Sequence, residues 1–533
     1  MAVTGRAQGA DVVITGARIY TQDERRPTAS ALAAKGGRIV YVGDDAGAPV
    51  AAGTRHVDAR GATIVPGLID SHVHMQALGD ELETFDLRNA KSVDEAVTVV
   101  KNEAARRKPG EWIRGRGWDQ TNWGGRFPSA EDLAAAAPAN PVYLSRVDGH
   151  AVWVNRQALA LAGITAQTPD PPGGRIVRTV AGEPSGVLVD RAMALVASHI
   201  PPPTPAEIRR RIARAARECA RVGLTTVHDA GITAEELDAY RDLIARGELP
   251  IRVYAMIGGR GDLWQRYLQR GPEIGDWLTV RAIKLIADGA LGSRGAALID
   301  PYSDDPGNTG LMMLTRDEIE RVAREAKAHG FQVATHAIGD RANRTVLEAY
   351  GAALEGTNAL RFRIEHAQVV APADFELFRK FSIVASIQAT HATSDMRWAE
   401  ARLGPERLKG AYAWRRFLEL GVAVANGSDF PVESPNPLLG FYAAITRQDR
   451  NGEPEAGWFP DQRMTREEAL RSWTLGGAYA AFEEGSKGSL AVGKLADFVM
   501  LSADIMSVPP REILNTRVTM TVVDGKVVYS ETR

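Results

Sequence analysis

The chain has 533 residues, 44% hydrophobic and 24% charged, the usage of a globular protein that buries a large core without staples. Lys plus Arg number 64 against 66 Asp plus Glu, a net charge of −2, so there is no bulk electrostatic case for nucleic acid or an anionic membrane. The single cysteine, Cys219, excludes an internal disulfide framework and fits a reducing compartment.

The N-terminal stretch MAVTGRAQGADVVITGARIY has no basic flank followed by a long apolar run, so no signal peptide is expected. No run of about 18 mainly apolar residues follows anywhere. The expectation is a soluble cytoplasmic protein whose partner is a small-molecule substrate, with a homo-oligomer left open. Residues 11–61 read as short strands, with a hairpin signal at Gly36-Gly37. The C-terminus has the same texture, with LADFVMLSADI as a strand and a hairpin around Asp524-Gly525. Together 1–62 and 488–533 suggest one small β-sandwich domain built from both termini.

Between them, 63–487, apolar strands alternate with helices. The strand runs are 62–70, 223–229, 251–257, 280–288, 331–336, 361–366, 382–388 and 422–429. Eight β-then-α repeats predict a parallel (β/α)8 barrel of the TIM type. A doubly wound sheet is the rival, but no glycine-rich phosphate loop follows these strands. Helix starts are marked by capping-box spacing at Thr204/Glu207, Thr315/Glu318 and Thr465/Glu468. In the helix after Pro205, Ile208, Ile212, Ala215 and Cys219 form one apolar stripe, and the arginines read as a solvated face. After the first strand comes a gap of about 150 residues, against about 2–6 for an ordinary loop. The segment 75–222 is therefore expected to be an inserted α/β lid subdomain.

Catalytic side chains of such barrels stand at the C-terminal ends of strands. There the sequence places His72 and His74, two apart and so on one side of an extended segment. It also places His336, His366 and Asp429, with Lys284 inside strand four. A lone strand histidine is usually a core residue, a lone Asp a turn or cap, and Lys284 could pair with Asp288. Four imidazoles and a carboxylate at one barrel mouth instead suit divalent ions of the zinc type. An ammonium has no lone pair. Lys284 could join the ligands after reacting with CO2, because a carbamate offers two oxygens that can bridge two ions.

These pieces (the HxH of PGLIDSHVH, the Lys of IKLIADGALGSRGA, the His of ATHAIGDRAN and of RIEHAQ, and the Asp of NGSDFP) resemble the amidohydrolase superfamily. DGHAVWVNRQAL, DPPGGRIVRTVAGEPSGVL, TTVHDAG and TRVTMTVVDGKVVY resemble its amidohydrolase family 3 branch, which includes N-substituted formamide deformylases. The resemblance spans nearly the whole chain. It implies one metal at His72, His74 and Asp429, a second at His336 and His366, and a carboxylated Lys284 bridging them with a hydroxide. Zn2+ is the implied ion. The implied reaction is hydrolysis of an amide-type C–N bond, with Asp429 taking the proton of the attacking hydroxide and passing it to the leaving amine. An ester, lactone, carbamate or cyclic amide would suit the same centre; a mononuclear deaminase or a non-catalytic scaffold fits less well. His150, His228, His391 and Arg294 are candidate substrate contacts, with a loop-fixing ion pair the alternative for Arg294, as are Trp118 and Trp123 within an aromatic lid, for which core packing is the alternative.

Overall fold

The computed structural model describes residues 10–146, 151–171 and 174–531. Eight parallel strands form one sheet in chain order: β1 Leu68–Val73, β2 Leu224–Ile232, β3 Arg252–Gly258, β4 Leu278–Ile286, β5 Gln332–Ala337, β6 Arg363–His366, β7 Val384–Ile387 and β8 Val424–Asn426. This is the expected barrel. Its two edge strands are drawn together at their C-terminal ends, where the Asp429 N–H donates to the His72 carbonyl at 2.8 Å. Gly427 sits at this seam, where a Cβ would fall 2.7 Å from His72 N.

The run 62–70, read as one strand, is divided. Thr63–Pro66 joins a terminal sheet and Leu68–Val73 opens the barrel. Gly67 stands at the break because a Cβ there would lie 2.2 Å from Thr225 Oγ1. The termini form two sheets. Four strands (Arg38–Gly43, Ala31–Lys35, Val12–Thr15, Arg55–Asp58) make one. Six (Lys526–Ser530, Val518–Val523, Phe498–Leu501, Thr63–Pro66, Arg18–Tyr20, Thr28–Ala29) make the other. Ile14, Ile19, Leu32, Ile64, Phe498 and Val522 share one core across them. Both hairpins turn through positive φ at two residues, +55° and +75° at Gly36-Gly37 and +56° and +70° at Asp524-Gly525, the twist that two-residue hairpins favour.

The capping boxes at Thr315 and Thr465 are formed, and a further one at Thr233/Glu236 starts the helix Ala234–Ala245. In the helix Pro205–Arg221 the stripe Ile208, Ile212, Ala215 and Cys219 is buried. Among the described residues no helix is long and apolar enough to cross a membrane.

The chain divides into two compact units, one running up to Leu78 and resuming over Ile208–Arg533, the other Gly79–Glu207. The second unit has its own six-stranded sheet, ordered Gly174–Arg178, Pro184–Asp190, Ala151–Val154, Val142–Arg146, Ile113–Trp118 and Phe85–Asp86. Its core holds Trp118, Leu133, Val142, Leu144 and Trp153, with the helix Val93–Ala104 contributing Ala96 and Val100.

Candidate metal centre

β1 carries His72 near its end and His74 just beyond it, and both Nε2 atoms face Asp429 Oδ1, at 3.7 and 3.3 Å. β5 brings His336 and β6 brings His366, their rings edge to face at 4.5 Å. His72 lies 5.0 Å from the same His366 ring. β4 brings Lys284, whose buried Nζ donates to His72 Nε2 at 3.0 Å. His391, in the first turn of the helix after β7, stacks on His366 at 5.9 Å and turns Nε2 to Asp429 Oδ2 at 3.8 Å. The six expected ligands and His391 thus converge on one end of the barrel. His366 and Asp429 have φ of +74° and +58°. This region favours glycine, yet here it is held by two residues whose side chains converge on the barrel mouth.

The tautomers follow from the surroundings. Glu365 and Arg363 share the inward face of β6, both fully buried, and form an ion pair. Glu365 Oε2 accepts from His72 Nδ1, and also from Ser386 Oγ at 2.7 Å. The proton of His72 is therefore on Nδ1 and its Nε2 lone pair points into the site. Gln388 Oε1 accepts from His366 Nδ1 at 2.7 Å, with the same result. Arg363 also donates to His228 Nδ1 at 3.0 Å and to the Ser71 carbonyl. Asp70, buried beside His72, accepts from Ser428 N at 2.9 Å and Ser428 Oγ at 2.6 Å, fastening β1 to the loop that carries Asp429.

Burial, then the charge of Lys284, pushes His72 down to about 4 and His336 down to about 3. Burial, with the charge of Arg363 adding to it, brings Lys284 down to about 8 against the opposing charges of Glu365 and Asp429. Burial drives Asp70 and Asp288 up to about 7 each. Glu365 is held well below the carboxylate range: burial opposes this, but the charge of Arg363 and the hydrogen bonds from His72 and Arg363 outweigh it.

The site fits a divalent ion on its own chemistry. His336 Nε2 and His391 Nε2 are buried without a hydrogen-bond partner among the described residues, a cost that a ligated ion removes. Among the described residues two groups have ligand atoms within 4.8 Å of one another: His72, His74 and Asp429, and His366, His391 and Asp429. Neutral imidazoles and a carboxylate are zinc-type donors.

Among the described residues, other side chains weighed from the sequence have partners of their own. Asp288, weighed as an ion-pair partner of Lys284, accepts instead from the N–H groups of Ala297, Ile338 and Gly339 at 2.9, 3.0 and 2.8 Å, and faces His336 Nε2 at 3.5 Å. His228 is buried against Tyr254, their ring centroids 5.1 Å apart, and is held by Arg363. Arg294 pairs with Asp304 through two bonds of 3.1 and 3.0 Å, an ion pair that fixes its loop. Trp118 is wholly enclosed in the core of the second unit and donates to the Leu144 carbonyl at 2.7 Å. Trp123 stacks on Trp118 at 6.3 Å and donates to the Ala90 carbonyl at 2.9 Å, so both indoles take the packing alternative. His150 lies outside the described residues. The sequence reasoning passed over Arg363, Glu365, Asp70 and Gln388. The signal available was a charged pair alternating within RFRIEH, a strand the barrel encloses.

The profile of the amidohydrolase family matches residues 55–529. The chain is 37% identical to Protein LONG AFTER FAR-RED 3 of Arabidopsis thaliana, over 98% of this chain and 92% of that one. It is 30% identical to the N-substituted formamide deformylase of Arthrobacter pascens, over 98% and 99%. An uncharacterized metal-dependent hydrolase from Pyrococcus furiosus superposes with a TM-score of 0.78 at 28% identity, covering 93% of this chain and all of that one. With the barrel and the histidine, carboxylate and lysine constellation already in place, these likenesses show that the chain belongs to the amidohydrolase family, a metal-dependent hydrolase acting on carbon–nitrogen bonds.

Proposed function

We propose that the chain hydrolyses an amide-type C–N bond of a small molecule, an N-substituted formamide or a related amide. The observation that carries this is the Asp429 carboxylate, set among the Nε2 atoms of His72, His74 and His391 at 3.7, 3.3 and 3.8 Å. The substrate class is supported by the full-length likeness to a formamide deformylase.

His72, His74 and Asp429 would hold one divalent ion, taken as Zn2+, and His336 and His366 a second, with a CO2-derived carbamate on Lys284 between them. A buried amine near 8 has a neutral fraction able to take up CO2 at ordinary pH. When bound, such ions supply a water acidified to about 7 and polarise a carbonyl oxygen. The rest falls to the chain. Glu365 keeps the His72 proton on Nδ1, and Gln388 does the same for His366. Asp429 accepts the proton of the attacking water on a carboxylate oxygen and returns it to the departing nitrogen, which is a poor leaving group without it.

Asp429→Asn keeps the shape and one carbonyl oxygen but cannot accept the proton. Purified metal-replete enzyme should hydrolyse members of a panel of N-substituted formamides and acylated amines. The variant should lose about 10²–10⁴-fold on amides and much less on an activated aryl ester, whose leaving group departs as a stable anion. Equal losses on both, with metal still bound, would remove the proton transfer. Inactivity of the wild type on every amide would remove the substrate class.

A further inference from the structure

His391 stands outside the ligand set implied by family resemblance, yet it is built into the centre. Gln388 sets both His391 and His366. Its side chain accepts from His366 Nδ1 at 2.7 Å and its backbone carbonyl accepts the His391 N–H at 3.2 Å. The two rings are held within 15° of parallel. His391 Nε2 is buried with no hydrogen-bond partner among the described residues. It faces Asp429 Oδ2 at 3.8 Å, too far for a hydrogen bond. His72 and His74 stand off from Oδ1 by a similar 3.7 and 3.3 Å. Two donors, each about 2.0–2.2 Å from one zinc-type ion, stand roughly 3–4 Å apart. Asp429 thus offers one oxygen to the His72/His74 pair and the other to His391.

We propose that His391 is a metal ligand. With His366 and Oδ2 of Asp429 it forms a second cation position that needs neither His336 nor Lys284. Two imidazoles and a carboxylate are the donor set of an open zinc-type site. Because His366 is common to both, this position and the one at His336 are alternatives. The Asp429 carboxylate then bridges the two ions in the form of the enzyme that carries no carbamate. The inference rests on the metal-dependent reading above and deepens it.

The test is metal content per chain, measured on full-length protein after zinc loading and dialysis, with Co2+ absorption as a second readout. Wild type, Lys284→Ala, His391→Ala and the double variant are compared. Lys284→Ala should keep two ions. Adding His391→Ala should leave one, with second-ion affinity weakened by about 100-fold or more, beyond what loss of an outer partner costs. In the Lys284→Ala background, His391→Cys keeps a ligand atom and should retain the second ion, which separates loss of a donor from misfolding. Lys284→Ala with a single ion, or a double variant that binds as many ions as Lys284→Ala, would overturn the proposal. A wild type that binds no ion would remove the metal-dependent reading itself, and this site with it.

Discussion

At the scale of single residues, the buried Arg363–Glu365 pair decides how the centre presents itself. Glu365 accepts from His72 Nδ1, while Arg363 balances its charge and holds His228 and the Ser71 carbonyl. Glu365→Gln keeps the shape but gives up the charge that selects the His72 tautomer. Outer partners of this kind usually contribute 10–100-fold to metal affinity. Zinc affinity should fall by about that factor, measured by competition with a chromophoric chelator, and an unchanged affinity would remove the positioning role. The histidines and the carboxylate that converge at the barrel mouth were legible in the sequence because HxH spacing and strand-end histidines leave a one-dimensional trace. Their supports were not. Arg363 and Glu365 alternate with Ile364, a pattern that on an open sheet marks a solvated face. Closing the sheet turns that polar face into the barrel interior, where both residues are fully buried.

At the scale of elements, the barrel depends on how β1 meets β8. Among the described residues no ladder pairs these strands; the Asp429 N–H to His72 carbonyl bond and the Asp70–Ser428 contacts draw them together. Gly427 permits the approach, since a Cβ would come 2.7 Å from His72 N and 2.8 Å from Asp70 Oδ1. Gly427→Ala should therefore cost about 1–3 kcal/mol, as overpacking does, and should also weaken metal binding because Asp429 moves with the loop. Denaturant midpoint and metal titration on one preparation check both; a fall in stability with intact metal affinity would uncouple seam from site. The eight repeats announced the barrel in advance. The break at Gly67 was not visible, because ATIVPGLID is one apolar run and only its neighbours assign its halves to two sheets.

At the scale of the whole molecule, one buried ion pair fastens the barrel to the terminal sheets. Arg252 of β3 grips Asp497 at 2.7 and 3.1 Å, and Asp497 also accepts the Asp524 N–H at 2.8 Å. Removing one partner strands the other charge in the interior, at a usual cost of about 3–5 kcal/mol. Arg252→Ala should lower unfolding stability by that amount while leaving metal content per chain unchanged. A midpoint within error of the wild type would show that the joint carries no stability. That both termini share one region was readable from their matching hairpins, whereas Arg252 gave no sign of its partner so far along the chain. The Asp70–Ser428 contact has a sequence separation of 358 residues. At about 5–20 residues per second, roughly 20–70 s pass on the ribosome between making its two halves. Through that interval the imidazoles of His72 and His74 exist without the Asp429 carboxylate that their Nε2 atoms face in the finished fold, and the constellation assembles only when residue 429 has emerged and the ring has shut.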